Sequence, residues 1–142
     1  MTDEFDIEDF LPYLLNQAAD SAAIEFQRYY KSRFGMLRTE WRVLFHLGRY
    51  GTMTAKEICT RARLHKTKVS RAVTALEQKR FLTRQEMARD RRHEHLKLTK
   101  AGQAAFADLS AEAKRFDAAL TAKLNPQERQ ILRNCLRQIA NL

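Results

Sequence analysis

A row of small polar and basic side chains follows one face of a predicted helix between residues 66 and 80. The apolar residues of this segment are spaced i, i+3, i+4 and i+7, which predicts an amphipathic helix. They are Val69, Ala72, Val73 and Leu76. The opposite face carries Thr67, Lys68, Ser70, Arg71 and Thr74. Hydroxyl, ammonium and guanidinium groups bind base edges and phosphates, so this face is suited to contact nucleic acid.

The excess positive charge of the chain lies in the same region. Residues 61–100 hold 13 Lys and Arg against 4 Asp and Glu, a surplus of nine that equals the net charge of all 142 residues. The remaining residues hold 13 of each sign, and their charges cancel. A surplus confined to one stretch indicates a surface that meets a polyanion, most commonly nucleic acid. We therefore favour a nucleic-acid surface over a merely solvated helix face.

Two short helices are predicted to present this surface. Thr54 and Glu57 have the spacing of a capping box and begin the first of them. Residues 63–65, Arg-Leu-His, provide a turn before the second. Two short helices joined in this way form a helix-turn-helix, whose second helix enters the major groove of DNA.

A β-hairpin with a basic tip is predicted to follow, over residues 81–99. Leu96 and Leu98 point the same way in an extended chain, so the period of the pattern changes from 3.6 to 2. A hairpin after a recognition helix forms a wing, whose tip arginines can enter the adjacent minor groove. Asp90 can hold the guanidinium of Arg92 in a bidentate pair and aim it. The predicted DNA contacts of the hairpin are Arg84, Asp90, Arg91 and Arg92.

Two helices are predicted before this region. The first runs from Leu11 to Phe34 and ends at Gly35. The second is short, from an N-cap at Thr39 to Arg49, with Gly48 and Gly51 at its exit.

Two more helices are predicted at the carboxyl end. Thr99 is the N-cap of a long helix, and Asn125 followed by Pro126 and Glu128 begins the last one. The last helix carries a row close to a heptad seam: Ile131, Leu132, Cys135, Leu136, Ile139 and Leu142. The terminal helices present apolar surface that a small winged core cannot cover alone, which favours a homodimer.

The predicted fold is mainly α with a small β-wing, packed as a single compact unit. A winged helix-turn-helix lobe over residues 37–99 lies between dimerisation helices over residues 11–34 and 100–142. The acidic amino terminus is unlike a signal peptide, and no apolar run approaches the length of a membrane span. We expect a cytoplasmic protein with no membrane partner.

The chain resembles the MarR family of bacterial winged helix-turn-helix regulators. Three segments carry the resemblance: TEWRVLFHLGRYG, TAKEICTRARLHKTKVSRAVTALEQKRFLTR and ARDRRHEHLKLTKAG. The last contains the wing signature D-x-R followed by L-x-L-T-x-x-G. The resemblance implies a homodimer that binds a pseudo-palindromic double-stranded operator and usually represses transcription until a small ligand or an oxidant releases it. The family more often has Gly in place of Arg80, so a positive φ or a different helix end is expected there.

The first two helices contribute an aromatic cluster that is a candidate effector pocket, since family members bind ligands in this region. Its members are Phe26, Tyr30, Trp41, Phe45 and His46. The EWRVL and K-x-x-VSRAV segments resemble members that respond to aromatic acids or their thioesters. Core packing explains an aromatic cluster at least as well.

Two cysteines leave a redox-responsive regulator open as an alternative. Peroxide-sensing members carry a reactive Cys early in the first helix, and this chain has none there. Cys59 and Cys135 are instead predicted to be packed core thiols. His93 and His95 share one face of a strand, but a phosphate-facing or solvated pair is favoured over a metal site.

Two other classes of protein compete with a specific regulator. We expect no enzyme and no cofactor, because no nucleophile elbow, phosphate-binding glycine loop, HExxH motif or Ser/His/Asp arrangement is present. A nonspecific architectural DNA-binding protein fits the charge alone. The hydroxyl groups on the recognition face favour base readout over that alternative.

Overall fold

The chain is mainly helical, with one three-stranded antiparallel sheet, in a computed structural model. The structure describes residues 4–87 and 90–142, with the side chains of Met87 and of residues 90–93 outside that description. After a 3-10 turn at Ile7–Asp9, the helices are α1 (Leu11–Phe34), α2 (Arg38–Tyr50), α3 (Ala55–Ala62), α4 (Lys66–Gln78), α5 (Lys100–Leu120) and α6 (Pro126–Ala140). The strands are β1 (Met53–Thr54), β2 (Leu82–Met87) and β3 (Asp90–Leu98), in the order β1-β3-β2.

The chain divides into two compact units, Met1–Ser110 and Ala111–Leu142. The hydrophobic core belongs to the first unit and includes Tyr30, Leu47, Ile58, Leu76 and Leu109. None of residues 110–142, all of which the structure describes, is buried. The apolar row of α6 is therefore exposed in the single chain, and the second unit has no buried core of its own.

Local hydrogen bonds begin and end most helices where the sequence predicts. Gly35, at φ 64°, ends α1. The Thr54 hydroxyl accepts from the Glu57 N–H at 3.2 Å and begins α3. At the start of α6, the side chain of Asn125 accepts from the Glu128 N–H at 2.8 Å, and the Glu128 carboxylate accepts from the Asn125 N–H at 3.1 Å. These predictions are confirmed. The caps could be predicted because each one involves backbone groups only a few residues away.

The predicted bounds of α2 are wrong at both ends. Thr39 lies inside the helix, which begins one residue earlier, and Glu40 caps it by accepting a hydrogen bond from the Leu37 N–H. The Glu40 side chain is buried and also pairs with Lys79, at the end of α4, at 3.0 Å. This pair gives Glu40 a second partner that no local pattern reveals.

Gly48 lies within α2 and does not mark its exit. A Cβ atom at this position would overlap the ring of Phe106 on α5. The helix continues to Tyr50 and ends at Gly51, which has a φ of 80°. Gly48 is therefore required for close packing between α2 and α5, a contact that the sequence alone does not indicate.

The wing signature holds the turn between α4 and β2. Arg80 has a φ of 63°, as the departure from the family pattern suggested. Its carbonyl oxygen accepts from the Thr99 hydroxyl at 2.6 Å, and that hydroxyl accepts from the Gly102 N–H at 3.0 Å. A side chain at Gly102 would meet the carbonyl of Phe81. The hydroxyl of Thr99 thus both caps α5 and stabilises the turn at Arg80.

Side chains along the hairpin alternate between its two faces as predicted, and the strand register places specific residues opposite one another. Leu82 pairs with Leu98, Arg84 with Leu96, and Glu86 with Glu94. Strand β1 has only two residues, too few for a sequence pattern to predict, and it pairs with β3 at Met53 and Thr54. Among the residues that the structure describes, no helix combines the length and apolar character needed to cross a bilayer.

Candidate nucleic-acid interface

Helix α4 presents an exposed polar face above a buried apolar stripe. The buried side comprises Val69, Ala72, Val73 and Leu76. The exposed side comprises Thr67, Lys68, Ser70, Arg71 and Thr74. The ring of His65 caps the helix, its Nδ1 atom accepting from the Thr67 N–H at 3.2 Å. The core therefore determines which side of α4 faces outward, and it is the side with hydrogen-bonding chemistry.

Arg84 is the one predicted hairpin contact whose side chain the structure describes, and it binds within the protein. Its Nε lies 3.2 Å from Glu77 Oε2 on α4, and its Nη1 lies 3.3 Å from Glu94 Oε2 on β3. Its Nη2 donates to the Thr74 hydroxyl at 3.1 Å. Two residues predicted to contact DNA, Thr74 and Arg84, thus contact each other.

The other three predicted hairpin contacts are not tested by the structure. The side chains of Asp90, Arg91 and Arg92 lie outside the described residues, although the backbone of all three belongs to β3. The pairing of Asp90 with Arg92, and the entry of Arg92 into a minor groove, stay predictions.

A groove of about 560 Å³ adjoins the polar face of α4, between α3, α4 and the sheet. Its polar and basic members on or beside α3 and at the start of α4 were not predicted from the sequence: Thr54, Lys56, Thr60 and Lys66. Ser70, Arg84 and the acidic Glu94 also line it. The sequence feature that could have revealed Lys56 and Thr60 is their i, i+4 spacing, which places both on the outer face of α3. This groove extends the basic surface beyond the recognition face.

Neither cysteine is buried in the single chain, contrary to the prediction. Cys59 is half-buried and lines the groove, and Cys135 is exposed. In the eight-residue helix α3 only Ile58 and Ala62 are buried, so Cys59 falls at the edge of a narrow apolar stripe. Cys135 lies on the row of α6 that nothing in the single chain covers.

Four of the five residues proposed for an effector pocket pack together. Phe26 lies 5.4 Å from Tyr30 and from Trp41, and Trp41 lies 5.1 Å from Phe45, ring centre to ring centre. Their edge-to-face arrangement is that of a packed aromatic core. His46 contacts Tyr50 at 6.0 Å, and its Nδ1 lies 2.6 Å from the Arg42 carbonyl oxygen.

The charge of Arg38 acts both on Tyr30 of this cluster and on the neighbouring guanidinium of Arg42. Burial lowers the pKa of Arg42, and the charge of Arg38 lowers it further. Burial raises the pKa of Tyr30, opposed by a hydrogen bond with Trp41 and by the charge of Arg38. Arg42 donates to the carbonyl of Ala62 at 2.9 Å. A cationic side chain near a tyrosine hydroxyl and aromatic rings is chemically suited to an aromatic anion.

The architecture of residues 37–99 defines a winged helix-turn-helix DNA-binding protein. The sequence model of the MarR family matches residues 34–93. The chain is 25% identical over 104 residues to the uncharacterized HTH-type transcriptional regulator YwoH of Bacillus subtilis, covering 73% of this chain and 75% of the relative. These matches together support a DNA-binding transcriptional regulator of the MarR family.

Solved structures share this fold over nearly the whole chain. The MarR/EmrR family transcriptional regulator from Acinetobacter sp. ADP1 has a TM-score of 0.85 at 25% identity, covering 96% of each chain. BpsR from Bordetella bronchiseptica has a TM-score of 0.86 at 18% identity, covering 98% of this chain and 99% of that one. DNA binding by BpsR is regulated by 6-hydroxynicotinic acid. At 18% identity the likeness to BpsR shows the fold alone.

Proposed function

We propose that this regulator represses transcription by binding a pseudo-palindromic operator as a homodimer. Helix α4 enters the major groove, and the hairpin tip enters the adjacent minor groove. The observation that carries the proposal is the exposed polar face of α4, which lies in the region that holds the net charge of the chain. Binding to the chromosome would place the protein in the cytoplasm and requires no catalytic chemistry.

The homodimer is supported by apolar side chains that the single chain leaves exposed. MarR family regulators bind DNA and work as dimers. On α6 the exposed residues are Ile131, Leu132, Leu136 and Ile139, and around the start of α1 they are Phe10, Leu11 and Leu14. Contiguous exposed apolar rows of this kind mark protein interfaces.

Selection of duplexes from a random DNA library by the wild-type protein tests the proposal. We expect a pseudo-palindrome with half-sites about 10 bp apart, bound roughly a thousandfold or more tighter than unrelated DNA. The logarithm of the affinity should fall with the logarithm of salt concentration by about 0.9 per neutralised phosphate. Strong binding without any enriched sequence would favour the architectural alternative instead.

We further propose that an aromatic carboxylate, or its thioester, releases the regulator from DNA. The packed rings of Trp41 and Tyr30, together with the charge of Arg38 acting on Tyr30, support this effector class. The aromatic acid that regulates BpsR belongs to the same chemical class. A ligand that inserts among these rings would change the packing of α1 against α2 and would shift the DNA-binding lobe with α2.

Calorimetry with a panel of aromatic carboxylates and their thioesters, and with the matching uncharged amides, tests the effector class. A true effector should lower operator affinity between about 5- and 150-fold and should itself bind the DNA complex more weakly by the same factor. Arg38→Gln should weaken carboxylate binding, whereas Arg49→Gln, at the other end of α2, is the matched control and should leave it unchanged.

Two results would contradict this effector proposal. The first is equal binding of the carboxylates and the amides by the wild-type protein. The second is operator release by mild peroxide that is lost in Cys59→Ser or Cys135→Ser, which would favour the redox-responsive alternative.

A further inference from the structure

Arg84 connects the recognition helix to the hairpin through three contacts. On α4 its guanidinium contacts the carboxylate of Glu77 and the hydroxyl of Thr74, and on β3 it contacts the carboxylate of Glu94. All three distances lie between 3.1 and 3.3 Å. The five N–H groups of a guanidinium form a rigid planar fork, so partners on different elements are held in one relative orientation.

The strand register explains why Arg84 points toward α4 and not toward solvent. Arg84 lies opposite Leu96 and two residues after Leu82, both of which are buried. Side chains alternate along a strand, so Arg84 belongs to the inner face of the hairpin, where it follows the buried Leu82. Only 32% of its side chain is exposed.

The charge around Arg84 argues against a direct contact with phosphate. Its one positive charge lies between the two negative charges of Glu77 and Glu94. This cluster is therefore net negative, on a surface that is proposed to meet a polyanion. Simple electrostatics would make such a cluster repel DNA. The carboxylates contribute to binding only if their effect on geometry exceeds this repulsion.

We infer that Arg84 is a positioning residue that sets the hairpin on α4, and not the DNA contact that the sequence suggests. It also orients Thr74, because a hydroxyl that accepts from Arg84 directs its own proton elsewhere, toward an acceptor on DNA. The assignment rests on the proposed binding of an operator by α4 and the hairpin. It predicts that the acidic partners of Arg84 help binding although their charge opposes it.

The decisive comparison is between Glu94→Ala and Glu86→Ala, tested on a duplex selected by the wild-type protein. Glu86 lies opposite Glu94 on β2 and makes none of the three Arg84 contacts, so both variants remove one negative charge from the same place. Glu94→Ala should weaken binding to this duplex about tenfold, a typical coupling within one network. Glu86→Ala should bind equally or more tightly. Glu77→Ala, on the helix side of the contact, should behave as Glu94→Ala does.

A second readout separates positioning from phosphate contact and from a general loss of folding. Arg84→Gln should weaken binding to the selected duplex, leave binding to unrelated DNA unchanged and keep the wild-type salt dependence. Lys68→Ala should lower the salt slope by about 0.9, as expected for a lost phosphate contact. Ion pairs that solvent still partly reaches contribute little to stability, so thermal unfolding of these variants should match that of the wild type.

Three outcomes would overturn the assignment. The first is tighter binding by both Glu94→Ala and Glu77→Ala. The second is a salt slope for Arg84→Gln that falls as it does for Lys68→Ala. The third is an equal loss of binding to selected and unrelated DNA in Arg84→Gln, which would indicate that this variant folds incorrectly. If the wild-type protein selects no duplex, the proposed operator binding itself fails, and the assignment fails with it.

Discussion

Leu136→Asp is expected to convert the proposed homodimer into a monomer and to lower operator affinity about a thousandfold. A monomer would place one recognition helix on DNA, so it would lose most of the advantage of a specific site over unrelated sequence. Leu136 is 40% exposed in the single chain, so Asp at this position can remain solvated in a folded monomer. In a dimer seam the same carboxylate would be buried without a partner, at a cost of several kcal/mol.

Sedimentation at micromolar concentration measures this change, and Asn134→Asp is its matched control. Asn134 is exposed on α6, two residues before Leu136 and so on the opposite side of the helix. This variant adds the same charge to the same helix and should remain dimeric with wild-type operator affinity. A wild-type monomer, or a Leu136→Asp dimer, would show that the apolar row of α6 is not the dimer seam.

Arg71→Ala is expected to weaken operator binding by about 1 to 3 kcal/mol and to relax base preference at one position in each half-site. Arg71 lies on the exposed face of α4, whose opposite side is held in the core by Ala72 and Val73. A guanidinium projected from this face can donate two hydrogen bonds to O6 and N7 of a guanine. Binding measured against every single-base variant of the selected duplex would locate the affected position.

Lys68→Ala is the comparison that distinguishes base contact from general attraction. If the Lys68 ammonium binds a phosphate, its removal should weaken binding to all sequences equally and should reduce the salt slope by about one. The same uniform loss for Arg71→Ala would assign Arg71 to the backbone of DNA. Unchanged operator binding by Arg71→Ala would mean that another face of α4 lies in the groove.

Helix ends and helix faces were predictable where their causes are local. The caps at Thr54, Thr99 and Asn125 bind N–H groups three residues away, so a short window of sequence contains both partners. The exposed face of α4 follows from the spacing of four apolar residues. The same local reasoning failed at Thr39, because the competing cap, Glu40, also has a distant partner in Lys79.

Contacts between distant elements could be read only from the packed chain. Gly48 resembles a helix end in the sequence, but the ring of Phe106 requires a residue without a side chain there. Cys59 follows Ile58 on an apolar helix face, yet it lines an open groove because the buried stripe of α3 is narrow. Which surfaces come to face each other depends on the whole core, and no local pattern encodes it.

The sequence by itself determined the class of this protein: a basic recognition helix, a hairpin wing and flanking helices, each specified by periodicity, caps and charge within a few turns of chain. The tertiary structure alone decided what Arg84 does. Its charge suggested a contact with DNA, but the hairpin register aligns it with Leu96 and directs its guanidinium to Glu77 and Glu94. Charge is a property of a residue, whereas the partner that neutralises it depends on which strands and helices pack together.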